Sequence, residues 1–172
     1  MERTVVLGAA RTPFGKFGGV LSSLSAPELG GLAIREAIDR SGIEDSELKH
    51  SVFGIVVQAG VGQIPSRQAN YQAGLPFELT TETLNQVCAS GIRSATLAET
   101  MIRAGDYEVV LAGGMESMSN APYLMEKARW GARMGDFKAL DGMMHDGLLD
   151  SFEHVNMLRF GTDGARKHDI SR

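Results

Sequence analysis

The sequence predicts an α/β fold: a mixed, mostly parallel sheet with covering helices. Three observations lead there. Short apolar runs alternate with segments of helical period as far as Gly114. Glycine closes each helical segment, as a left-handed terminator would. The 172 residues are 43% hydrophobic and 22% charged, the balance of a globular chain long enough to bury a core. Strands separated by helices join most readily as parallel neighbours.

The elements follow in order. Residues 4–10 (TVVLGAA) form a short apolar run suited to a buried strand. Residues 11–25 carry Pro13, Gly15, Gly18 and Gly19, so they read as loop. Ser25-Ala26-Pro27-Glu28 has the capping-box pattern, in which the serine oxygen takes a free helix N–H and the glutamate reaches back. Leu29, Leu32, Ala33, Ala37 and Ile38 follow at helical spacing, with Gly42 as terminator. Residues 52–58 (VFGIVVQ) are the second strand, 67–73 a short helix closed by Gly74, and 80–86 the third strand. Ile92, Ala95, Ala98, Met101 and Ile102 then share one helical face, Gly105 stops that helix, and 109–112 supply a fourth strand.

Beyond Gly114 the texture changes. Residues 115–172 are rich in Met, Gly and Asp without a clear period, with helix expected around 121–133 and 162–168. Such a segment in a compact protein is functional or a subdomain of its own. The reading divides the chain into a core at 1–118 and a loop subdomain, incomplete, at 119–172.

Charge and composition exclude several classes. Seventeen basic residues against twenty-one acidic ones leave a net charge of −4, without the basic footprint of a nucleic-acid binder. No apolar run reaches the length of a membrane span, and the first residues are no signal peptide. A cytoplasmic location is therefore expected. One cysteine permits neither a disulfide framework nor a cysteine-based zinc cage.

That cysteine, Cys88, is the leading candidate for chemistry. It lies between a strand pattern and a helix pattern, where free N–H groups and the helix dipole favour a thiolate and a developing oxyanion. Ala89, Ser90 and Gly91 leave room for a substrate to approach the backbone. The alternative is an inert buried thiol. The four histidines are scattered, without metal-ligand spacing, and read as surface or capping residues. Gly60-Val61-Gly62 lacks the remainder of a phosphate loop. Lys127, Arg129, Arg133 and Lys138 form a basic stretch, read either as a solvated helix face or as a contact for an anionic cofactor.

Several motifs stand in a telling order: Arg11-Thr12-Pro13-Phe14-Gly15; Gln58-Ala59-Gly60 with Gly62-Gln63 and Ser66-Arg67-Gln68; Asn85-Gln86-Val87-Cys88-Ala89-Ser90-Gly91; and Gly113-Gly114-Met115-Glu116-Ser117-Met118-Ser119. Met134-Gly135-Asp136 and Asp146-Gly147-Leu148 follow. Taken together they resemble the N-terminal half of the thiolase (acetyl-CoA acetyltransferase) family, over essentially the whole chain. The resemblance implies the thiolase-like fold, with part of its loop subdomain. It implies that Cys88 is an acyl-accepting nucleophile, that the Cys88 N–H belongs to an oxyanion hole, and that Leu148 and Met157 line the pantetheine end of the pocket. Coenzyme A would be substrate and product rather than a permanently bound cofactor. The partners implied are acetyl-CoA or a 3-ketoacyl-CoA and further copies of the chain, as a homodimer or homotetramer. The resemblance also assigns the activating histidine, the second cysteine and an asparagine to a C-terminal catalytic half absent from this chain. Asn156-Met157-Leu158 stands where the family shows His-Met-Gly, a departure at the CoA edge.

Overall fold

The computed structural model describes residues 3–171. The chain divides into two compact units, the first running to Asn120 and the second starting at Ala121. Ser117 and Asn120 belong with the first, because the Ser117 hydroxyl and the Asn120 amide both donate to the Leu24 carbonyl.

The first unit opens with residues 4–10, which take no regular secondary structure and pair with no strand. This corrects the expectation of a buried strand: Val5, Val6 and Leu7 are all exposed. The run lines an apolar groove of about 500 Å³ together with residues 108–114, without the in-register pairing that makes a ladder. Instead the run leans on the first helix, α1 (Ala26–Ser41), where Arg40 donates to the Ala9 carbonyl at 3.2 Å. The expected capping box is present: Ser25 Oγ accepts from the Glu28 N–H, and the Glu28 carboxylate accepts from the Ser25 N–H at 2.7 Å. Gly42, at φ +72°, ends the helix.

Three strands make the sheet. β1 (His50–Gly54) pairs parallel with β2 (Thr80–Leu84) on one side and β3 (Val110–Gly114) on the other. β1 is therefore central, and all five of its residues are buried, as a parallel strand covered on both faces should be. α2 (Pro65–Gln72) connects β1 to β2, and α3 (Ser90–Ala104) connects β2 to β3. Ser51, Phe53 and Ile55 face α1 and α2, with Phe53 and Ile55 in one apolar cluster with Ile34, Ile38, Ala69, Ala73 and Leu79. Gly54 faces α3 instead, since a Cβ there would sit 2.5 Å from that of Ser90.

Polar side chains stitch α2 to the sheet. Ser66 Oγ lies 2.6 Å from Thr83 Oγ1, and Asn70 Nδ2 donates to Ser51 Oγ at 2.8 Å. His50 departs from the surface role expected of it: it is buried, stacked on Tyr107 at 4.7 Å, with Nδ1 2.8 Å from Thr80 Oγ1. The other three histidines are exposed.

In the second unit, β4 (Tyr123–Leu124) and β5 (Leu140–Asp141) form a two-residue antiparallel ladder, and Met144–Leu148 is a π-helical turn. Where helix was expected around 121–133, the chain instead forms β4 and a 3-10 turn, Ala128–Trp130, that ends at Gly131 with φ +83°. α4 (Met157–Lys167) begins five residues earlier than the sequence suggested, because Asn156 caps it by accepting from the Leu158 N–H at 2.9 Å. Among the described residues no helix is long and apolar enough to cross a membrane.

Candidate active site

Cys88 is exposed, so the inert buried alternative does not hold. It sits on a sharp elbow: β2 ends at Leu84, Ala89 is the N-cap residue, and α3 starts at Ser90. The turn is made by Val87 at φ +49°, a left-handed conformation that a β-branched residue adopts only under constraint. Its constraints are visible. The Val87 N–H donates to Asn85 Oδ1 at 2.9 Å, and the Val87 carbonyl accepts from both Ser90 Oγ (2.6 Å) and the Ser90 N–H (3.0 Å). Ser90 Oγ also accepts from the Gln86 N–H at 2.8 Å. No side chain caps α3 at Ala89; the serine at the first helical position closes the loop instead.

Of the small residues after Cys88, Ser90 serves packing, whereas Ala89 and Gly91 are exposed and a Cβ on Gly91 would meet nothing within 4 Å. Ser90 is buried against Gly54 of β1, and a Cβ on Gly114 of β3 would lie 3.3 Å from Gly91 Cα. Ser94, also buried, donates to the Gly113 carbonyl at 2.7 Å. Gly54 and Gly114 thus let the start of α3 settle on the carboxyl ends of the parallel strands. That is the end where open α/β sheets place their ligands.

Glu116 was not singled out by sequence reasoning beyond its motif. Its half-buried carboxylate accepts from the N–H groups of Val56 (2.8 Å) and Val57 (3.3 Å), just past the end of β1. Burial pushes its pKa above the usual carboxylate range, and the two N–H bonds pull the other way. Asn85 Nδ2 donates to the Val56 carbonyl at 3.0 Å. Hydrogen-bond partners of this kind, on backbone groups far away in sequence, leave no periodic signal.

The other candidates lie in the second unit. Leu148 ends the π-helical turn and is partly buried, whereas Met157 opens α4 and is half exposed. Asn156, read as a departure at the CoA edge, has a structural task as the cap of α4. Gly60 and Gly62 both take positive φ, and Gln68 braces their turn through the carbonyls of Val61 and Gln63. Among the described residues no three His, Cys, Asp or Glu side chains gather as a metal site.

Comparison with known proteins adds to this geometry. The family described as "Thiolase, N-terminal domain" matches residues 4–172. An acetyl-CoA acetyltransferase of Cupriavidus necator is 43% identical over 172 residues, which are 100% of this chain and 44% of that protein. Acetyl-CoA acetyltransferase A, mitochondrial, of Xenopus laevis is 45% identical over the same span, covering 40% of its length. An acetyl-CoA acetyltransferase of Pseudomonas aeruginosa is 42% identical, with 44% of its length covered. The chain thus spans less than half the length of these relatives.

Proposed function

The chain belongs to the thiolase family through its N-terminal domain, and on that premise we propose that the whole protein is a CoA-dependent acyltransferase in which Cys88 carries the acyl group. The Cys88 sulfur attacks the carbonyl carbon of acetyl-CoA, the carbonyl electrons move onto oxygen, and the intermediate collapses by expelling the CoA thiolate. The cysteine's proton ends on CoA, so one thioester replaces another. The Cys88 N–H belongs to the oxyanion hole that steadies the intermediate. A second acetyl-CoA, deprotonated at its α-carbon by groups outside this chain, then attacks the acyl-cysteine. Acetoacetyl-CoA leaves and the thiol is regenerated. The reverse direction cleaves a 3-ketoacyl-CoA with CoA.

One observation carries this reading: the sole cysteine of the chain is exposed on a left-handed elbow between a strand end and a helix start. Three acetyl-CoA acetyltransferase relatives more than 40% identical support the choice of substrate. We assign Leu148 and Met157 to the pantetheine end of the CoA channel, with CoA as substrate and product. We further propose assembly as a homodimer or homotetramer through the edge strand β2, and a cytoplasmic location, although one of the relatives is named as mitochondrial.

Labelling with radioactive acetyl-CoA tests the assignment. Cys88→Ala is expected to take up no label, and Cys88→Ser almost none, because an unactivated hydroxyl is a much weaker nucleophile than a thiolate. Label retained in Cys88→Ala removes the assignment.

A further inference from the structure

Asn85 and Glu116 lie on one continuous hydrogen-bonded path that ends at the Val87 N–H, one residue before Cys88. Glu116, on the segment after β3, receives the N–H of Val56 at 2.8 Å. The carbonyl of the same residue, Val56, receives Asn85 Nδ2 at 3.0 Å. The Asn85 amide oxygen then receives the Val87 N–H at 2.9 Å, and Val87 is the residue held at φ +49°. We propose that Asn85 is a positioning residue for the nucleophile: it clamps Val87 in the left-handed conformation and so fixes where Cys88 presents its sulfur, with Glu116 anchoring the strand end on which Asn85 leans.

The proposal rests on Cys88 as the acyl carrier. A valine released from positive φ relaxes to the extended or right-handed region, and that swings the Val87–Cys88 peptide. Ser90 holds the carbonyl side of Val87 and belongs to α3, so the N–H side is the one that depends on Asn85. Asn85 uses both amide atoms, the nitrogen to reach the segment after β1 and the oxygen to hold the turn, and the clamp on Val87 depends on the oxygen. Aspartate keeps the acceptor for the Val87 N–H but loses the donor to Val56. Alanine loses both.

Two measurements on the whole protein test this, and each has a definite outcome. The first compares the rate at which Cys88 takes an acetyl group from acetyl-CoA with its rate of alkylation by iodoacetamide. The second reads the amide–Hα distance within Val87 by NMR, which is short at positive φ. Asn85→Ala is expected to lower the acylation-to-alkylation ratio by about tenfold or more, as a nucleophile displaced by a fraction of an ångström would. Asn85→Asp is expected to recover most of that loss. Should Asn85→Ala fail to fold, the double variant Asn85→Ala with Val87→Gly removes the backbone strain and is expected to fold while keeping the low ratio. An unchanged ratio in either alanine variant overturns the proposal, and so does an Asn85→Asp variant that performs no better than Asn85→Ala. If the wild-type protein takes no acetyl group at all, the acyl-carrier reading fails. The NMR distance then decides the clamp by itself: a Val87 that leaves positive φ in Asn85→Ala supports it, and one that stays overturns it.

Discussion

Val87 holds a conformation worth about 1–3 kcal/mol of strain for a residue of its kind, and the loop around it is organised to keep it there. His50 is the other residue whose chemistry follows from its surroundings. Thr80 Oγ1 donates to the Lys49 carbonyl, so it accepts from the Nδ1–H of His50. Its Nε2 is buried without a hydrogen-bond partner, 3.7 Å from the Glu82 carboxylate. Burial lowers the His50 pKa, more than the nearby Glu82 raises it. The unfolded chain therefore binds a proton that the folded chain refuses, and stability rises with pH across that interval. Stability contributed by His50 is present above about pH 6.5 and is lost as pH falls below it. Urea unfolding at pH 7.5 and 5.5 is expected to show this loss, with a smaller pH difference in His50→Gln. Glu116 works in the opposite sense, because its raised pKa makes the folded state bind the extra proton; its contribution fades as pH rises. The His50→Gln comparison separates the two. Neither environment was legible in the sequence, since burial and cross-strand partners depend on the pairing of β1 with β2 for His50 and with β3 for Glu116.

At the scale of the element, capping and termination were the most legible features. Ser25 and Glu28 form the capping box their spacing announced, and Gly42, Gly74 and Gly105 take the positive φ expected of helix terminators. Ser25→Ala is expected to lower stability by about 1 kcal/mol in chemical denaturation. Gly30 and Gly31 gave no such signal, because a glycine pair within a helix reads only as a weak point. In the fold they admit α2: a Cβ on Gly31 would lie 2.5 Å from that of Gln72, and one on Gly30 would lie 2.8 Å from Met115 Sδ. Gly31→Ala is expected to destabilise by about 1–3 kcal/mol despite its better helix propensity, the overpacking exceeding the propensity gain. A stabilised Gly31→Ala would show that the two helices can part freely. β1 and β2 are shorter than the runs expected at 52–58 and 80–86, whereas β3 outlasts the run expected at 109–112, because sequence pattern marks side-chain character while a ladder also needs a partner in register.

For the whole molecule, the parallel α/β sheet and the thiol at its carboxyl end were both legible, the first from alternating periods and the second from a strand–cysteine–helix pattern. Residues 4–10 were not, since an apolar run cannot report whether a neighbour is present. Their exposed side chains and the groove of about 500 Å³ beside β3 leave apolar surface open in the first unit. The folded chain is expected to bind an apolar fluorescent dye, and Val5→Ser with Leu7→Ser to weaken that binding; an unchanged signal would place the dye elsewhere. The second unit was the least legible part, because two-residue strands, a π-helical turn and a helix set by an asparagine cap carry no long-range period. Whether Cys88 carries an acyl group is decided by intact mass spectrometry of the whole protein after incubation with acetyl-CoA. A single acetyl increment that peptide mapping assigns to Cys88 is expected. An unmodified protein, or an acetyl group mapped to a lysine instead, would overturn the assignment.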